Sequence, residues 1–433
     1  LSRSVWQTAN VYEAGVTPHA GAAELAASQP TTDFEQLARA DAIVVLGVNT
    51  LQKYPILDFK LQRIAQSNRC RVFYLHPDKT FLAGRAQRWL PLPADQAAVC
   101  ARAILAEAFS RLGVPDGQPA LAALGKELAA SPSKSDLQQA GLAEADIRTI
   151  LDLLLTKRPV IVFDPEDIGA DAHAHIHNLA VLLNHHGYRL ALLPMMSRSN
   201  SRGVLEMGCH PAFLPGWQPA DSLPARERIQ QSWKLGLPAE PGLDHRQLSA
   251  ALKSGGIRAA MVFGADPAGG AAATQAQALF PGLEFLMVQD LFLTPTAELA
   301  DVVLPAASFA ETSGTVINAE RRIQQIHAAM APLSGKSGIQ ILQDLARLWG
   351  ADFGSADPAA LWDEMQAVTP AFTGIALAQL GIRGAVLAPI QTDGRLIVSE
   401  PGLPPWPESF PNGIDAMVRR WQNRLRELGV VRD

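Results

Sequence analysis

The stretch Asp41-Ala42-Ile43-Val44-Val45-Leu46-Gly47-Val48-Asn49-Thr50 decides the fold class. Its apolar, β-branched centre is the pattern of a strand buried on both faces, and Gly47 ends that strand in a turn which hands the chain to Asn49 and Thr50. Outward from it, apolar periodicity over 55–65 predicts a crossover helix, 71–75 a second strand and 94–112 a long alanine-rich helix. Strand, helix and strand in that order imply a parallel sheet.

The alternation resumes at Pro159, with a strand over 160–163, a helix over 170–186 and a strand over 189–193. A loop-rich region carrying Pro211, Pro215, Pro219 and Pro224 follows, and then strands over 257–264, 284–289 and 301–304 with a helix over 271–280. The expected fold is α/β, with two Rossmann-like, doubly wound, mostly parallel sheet domains over 1–115 and 159–350. A helical connector over 116–158 joins them, and a C-terminal extension over 351–433 carries a hairpin or edge strand after Gly381 and an amphipathic helix over 414–428.

A chain of 433 residues has room for two or three such domains. Hydrophobic residues at 48% and charged residues at 18% exclude a disordered, collagenous or coiled-coil chain. The net charge of −5 speaks against a nucleic-acid partner, and no apolar run is long enough for direct membrane insertion. Cys70, Cys100 and Cys209 stand too far apart for a disulfide framework or an iron–sulfur cluster, which suits a cytoplasmic chain. The first residue is Leu1, which suggests excision from a longer polypeptide.

Ligands of doubly wound sheets bind outside the carboxyl ends of the strands. Three loops are expected there: 47–50, 264–267 and 197–203, the last with two guanidinium groups, Arg198 and Arg202, among hydroxyl and amide side chains. None has the G-x-G-x-x-G spacing of a nicotinamide site, and each also reads as a polar turn at a strand exit. His173 and His177 stand at i and i+4, yet Asp171 is the one carboxylate nearby, so a helix with solvated histidines is the simpler reading than a metal site. Cys209-His210 resembles a thiolate beside its base, but chain neighbours seldom face each other, which leaves a partly buried loop cysteine.

The densest pattern lies between Val288 and Gln324. Asp290 and Thr294 follow a strand, Ala300-Asp301-Val302-Val303-Leu304-Pro305 comes next, and Glu311, Gly314-Thr315, Asn318, Arg322 and Gln324 complete it. This pattern resembles the signature of the molybdopterin oxidoreductase family, whose members include formate dehydrogenases and the large iron–sulfur subunit of NADH-quinone oxidoreductase, respiratory complex I. The resemblance runs from about Asp33 to Gly374, taking in 40–49 as a strand with its G-x-N loop and Asn200 to Gly216 as a second segment. In cofactor-containing relatives each lobe holds one pterin guanine dinucleotide.

Departures from the family pattern bear on that cofactor. His76-Pro77-Asp78-Lys79-Thr80 stands where D-P-R-x-T is usual, Pro93-Ala94-Asp95-Gln96 where P-G-T-D is usual, and Asn49-Thr50 where N-P is usual. Thr294-Pro295-Thr296-Ala297 replaces T-E-T-A, and the stretch after Gly381 is too short for a cofactor-covering barrel. The resemblance therefore implies the C-terminal portion of the large iron–sulfur subunit of complex I (NADH dehydrogenase), a scaffold without its own redox centre, catalytic residue or metal ligand, with iron–sulfur clusters in an N-terminal region outside the chain. Its partners would be other subunits of a respiratory or formate-oxidising complex, and its location cytoplasmic or peripheral at the inner membrane through those subunits. The alternative is a formate-dehydrogenase-like portion that binds bis-molybdopterin guanine dinucleotide with molybdenum or tungsten. Its contacts would be Asn49, Ser197, Asn200, Arg202, Asp266, Asp290 and Thr294.

Overall fold

The computed structural model describes residues 1–13, 31–67, 69–129, 133–196, 198–269, 277–278 and 280–387. Strands β1 (Ala42–Leu46), β2 (Arg71–Leu75), β3 (Arg88–Leu90), β4 (Pro159–Phe163) and β5 (Ala191–Pro194) form one sheet in the order β3-β2-β1-β4-β5. Every pairing in it is parallel. The central strand explains why: successive side chains point to opposite faces, and both faces of β1 are covered by helices. Ala42, Val44 and Leu46 join a core with the helices Ala97–Leu112, Glu144–Leu154 and Pro165–His185, while Ile43 and Val45 join another with Leu57 and Leu61 of the helix Pro55–Gln66.

The domain boundary expected over 116–158 does not divide this sheet. β4 pairs with β1 along its whole length, so both sides of the expected connector contribute to one lobe. Leu121, Leu128, Ile147, Ile150 and Leu151 of the connector's helices lie in the same apolar core as Leu46 and Phe163. Once those helix faces are buried against the sheet, no linker remains for a boundary to occupy.

A short hairpin, β6 (Phe213–Leu214) and β7 (Gln218–Pro219), precedes the second parallel sheet. That sheet comprises β8 (Ala259–Phe263), β9 (Phe285–Asp290) and β10 (Val302–Pro305) in the order β10-β9-β8. Its middle strand is buried over Leu286, Met287 and Val288, whereas the edge strand β8 is half-buried over Ala260–Val262 and the edge strand β10 is largely exposed. An antiparallel sheet of β11 (Gly314–Ile317), β12 (Arg322–Ile326) and β13 (Ala385–Val386) follows. The expected helix over 271–280 falls mostly, and the helix over 414–428 entirely, outside the described residues.

Polar contacts tie these parts to the first lobe. The Phe34 N–H donates to the Glu320 carboxylate at 2.7 Å, and Glu320 also accepts from Arg322 at 2.6 Å. Arg3 donates to the carbonyls of Gly208, His210 and Phe213 at 2.7, 2.6 and 2.8 Å, stapling the first residues to the loop before the hairpin. Among the described residues, no helix is long and apolar enough to cross a membrane.

Candidate functional site

In a sheet of order 3-2-1-4-5 the topological switch lies between the carboxyl ends of β1 and β4, where the loops after those two strands meet. Asn49 caps the short helix Thr50–Lys53 by accepting from the Gln52 N–H at 3.2 Å. That cap aims Lys53 and Tyr54 across the switch toward Asp164, the residue after β4. The Lys53 ammonium donates to Asp164 at 3.0 Å and to Asp167 at 2.5 Å, and the Tyr54 hydroxyl donates to Asp164 at 2.7 Å. Asp164 is fully buried, and its second oxygen accepts from the Glu166 N–H at 2.8 Å, which caps the following helix.

Charge in this site is divided between two carboxylates and one ammonium. Burial, and then the charge of Asp164, push the Asp167 carboxyl up to about 6 against the opposing pull of Lys53. Burial alone would lower the Lys53 ammonium, but Asp164 and Asp167 outweigh it and hold the group well above its ordinary value. Burial together with the Asp164 charge likewise raises the Tyr54 phenol, so the hydroxyl stays a donor.

A second buried cluster adjoins it at the end of β5. Arg202, 1% exposed, donates to the Pro194 carbonyl at 2.9 Å; burial lowers its guanidinium to about 9, with Glu206 opposing and Arg321 adding to the fall. Arg321 grips Glu206 through two bonds of 2.6 and 3.2 Å, both side chains being buried. The Asn200 carbonyl oxygen accepts from the Ile317 N–H at 2.9 Å and so fixes β11 against the first lobe. Asn200 and Arg202 each bond backbone from another element, Ile317 and Pro194 respectively. Arg198 is exposed, and Ser197 lies outside the described residues.

Asp266, Asp290 and Thr294 occupy the carboxyl ends of the second sheet. Asp266 accepts from the Thr296 N–H at 3.0 Å and the Thr296 hydroxyl at 2.7 Å, and that hydroxyl accepts from the Ala268 N–H at 2.9 Å. Thr294 caps the short helix Pro295–Glu298 through the Ala297 N–H at 3.2 Å. Asp290 closes a turn by accepting from the N–H groups of Leu291 and Phe292 at 2.7 and 3.2 Å. These acceptors are engaged by their own loops.

The two lobes differ in what a phosphate could approach. Gly47, at φ +69°, is the close-approach position after β1, yet a Cβ placed there would stand 2.6 Å from the Ile168 Cγ2. The side chain of Ile168 therefore already covers that turn, and with the Lys53, Tyr54 and Asp164 group it fills the switch point. Gly264, at φ +58° after β8, has no described residue within 4 Å of where a Cβ would stand.

The remaining candidates are histidines and cysteines. His173 and His177 are buried, not solvated as the amphipathic pattern implies, because the helix Pro165–His185 is covered by Ala97–Leu112 and the sheet. Burial, aided by Arg102, lowers His175 to about 4, which keeps that ring neutral. Among the described residues, no cluster of His, Cys, Asp or Glu could hold a metal ion. Burial raises the thiols of Cys70 and Cys100 to about 12 and that of Cys209 above its ordinary value, opposite to an activated nucleophile. Lys53, Tyr54, Asp164, Glu206 and Arg321 do not stand out as candidates in the sequence. The acidic residue directly after β4 was the available signal, since it stands where a strand meets a helix start.

The chain belongs to the molybdopterin oxidoreductase family, whose profile matches residues 6–348. Among named proteins it is similar to "Probable oxidoreductase YjgC" of Bacillus subtilis, with 26% identity over 376 residues, covering 83% of this chain and 38% of that protein. Several Staphylococcus aureus proteins named "Putative formate dehydrogenase" match with the same identity and coverage, so the chain spans 38% of the length of these relatives. Among solved structures, acetylene hydratase from Pelobacter acetylenicus superposes with a TM-score of 0.58 at 14% identity, over 80% of this chain and 52% of that one. That likeness extends to the fold.

Proposed function

We propose that the chain is the scaffold-forming portion of a redox-enzyme subunit, keeping the molybdopterin oxidoreductase fold without a dinucleotide in its first lobe. The parent would be the large iron–sulfur subunit of an NADH-quinone oxidoreductase, and the partners other subunits of that respiratory complex. What supports this reading is the filled switch point, where Ile168 covers Gly47 and the Lys53, Tyr54 and Asp164 group joins the two loops. In such a role the polar residues hold strands and helices in register instead of gripping phosphates.

The test is the content of the full-length protein purified from its own cells. Metal analysis and chromatography of guanine nucleotides released by acid should find neither molybdenum nor tungsten in stoichiometric amount, and no bound guanine nucleotide. A bis-dinucleotide complement with stoichiometric metal would sink the scaffold reading. It would instead favour a formate-dehydrogenase-like portion with a bound molybdopterin guanine dinucleotide. The Gly264 turn, with no described residue against it, and the names of the relatives support that second reading. Under it, Asp266 and Thr294 already stand at the start of the helix Pro295–Glu298, at the carboxyl end of the second sheet.

A further inference from the structure

At the amino ends of β1, β2 and β4, on the side of the first sheet away from the switch point, the surface opens into a groove of about 590 Å³. Arg39 leads into β1, Lys60 and Arg63 project from the helix Pro55–Gln66, Arg69 leads into β2 and Arg158 leads into β4. Asp41 is the one carboxylate in the lining, paired with Arg158 at 2.8 Å. Five cations against one anion make this face strongly positive, in a chain whose net charge is −5. Among the described residues no carboxylate pairs with Arg39, Lys60, Arg63 or Arg69. Lys60 instead lies over the Phe34 ring at 5.5 Å and Arg63 over the Phe59 ring at 5.8 Å.

We infer that this groove docks an acidic polypeptide segment. Four lines of chemistry favour that occupant. The cations come from four separate stretches of chain and stand along an open trough, an arrangement that suits an extended segment bearing several carboxylates. A small-molecule site would aim a few buried polar groups at one point, whereas Arg39, Arg63, Arg69 and Arg158 are exposed. The floor includes Ile64 and the buried Cys70, so a segment with apolar residues between its carboxylates would bury them there. A flat anionic membrane would not enter a concave trough, and a nucleic-acid backbone carries no apolar side chains to place on Ile64 and Cys70. The site is independent of whether either lobe holds a dinucleotide.

Fluorescence anisotropy of a fluorescein-labelled peptide of alternating glutamate and leucine, titrated with the full-length protein, tests the assignment. The double variant Arg39→Glu, Arg69→Glu removes two cations without breaking an ion pair, and Arg347→Glu, Arg383→Glu is a control with the same change of net charge elsewhere on the surface. Thermal melts of both variants check that they fold. The expected result is binding that weakens at least about tenfold in the groove variant and stays within about twofold in the control. No binding by the unmodified protein, or equal weakening in both variants, overturns the proposal. So does displacement of the peptide by phosphatidylglycerol vesicles or by a single-stranded oligonucleotide at lower concentration than free peptide requires.

Discussion

Glu206 sits where substitution is costly. Its carboxylate is held by Arg321 out of water, and Arg202 lies close enough to feel its charge. Removing one member of a buried pair strands the other, at a cost of about 3–5 kcal/mol. Glu206→Gln should therefore lose roughly that much in urea denaturation, while Glu298→Gln on an exposed surface should stay within about 0.5 kcal/mol. Asp167 offers a pH test. Its folded value, about 6, lies above that of an unfolded aspartate, so the folded state binds the proton more tightly. The stabilising contribution is complete below about pH 4 and is lost as the pH rises toward about 6. Asp167→Asn should flatten that part of the stability profile, and a profile that keeps its slope in the variant would assign the titration to another group.

At the scale of elements, the contact between the turn after β1 and the helix after β4 can be read by a double-mutant cycle. Gly47→Ala introduces a methyl 2.6 Å from Ile168 and forces a side chain onto φ +69°. The expected loss is about 2–4 kcal/mol, from overpacking and left-handed strain together. Ile168→Ala removes the opposing methyl, so the double variant should be more stable than the sum of the single losses. Additive losses would mean that the two do not touch. β1, β2 and β4 were legible in the sequence because burial on both faces writes a continuous apolar run. β3 was not, since Arg88-Trp89-Leu90 is short and half-exposed and gains strand geometry only by pairing with β2. The same limit governs the site. Asn200 and Arg202 were legible as a polar loop at a strand end, but Lys53 and Asp164 are separated by 111 positions and meet only through the crossover of β1 to β4.

For the whole molecule, the two parallel sheets differ in how far each is closed. The first is covered on both faces and carries two apolar cores, whereas the second has, among the described residues, a small core around Leu286, Val288 and Ala297, with β8 half-buried and β10 largely exposed at its edges. A fragment over 31–196 should fold alone with a cooperative melt, because it contains all five strands and both cores of the first lobe. A fragment over 31–158 should aggregate, since β1 would then present an unpaired edge of Ala42–Leu46. Circular dichroism melts and light scattering distinguish the two, and a monomeric, cooperatively melting 31–158 would restore the boundary over 116–158.

The pairing of β1 with β4 also sets a schedule for synthesis. The strand at the centre of the sheet leaves the ribosome before β4, and the neighbour that completes it emerges only after intervening helices that include Pro119–Leu128, Lys134–Gln139 and Glu144–Leu154. At about 5–20 residues per second, β1 waits several seconds with one side open. Helices form in microseconds, so those that intervene are ready before β4 arrives and can shelter the apolar face of β1 in the meantime. The stretch that looks like a spacer in the sequence is thereby placed to act as a nascent chain's own holdase.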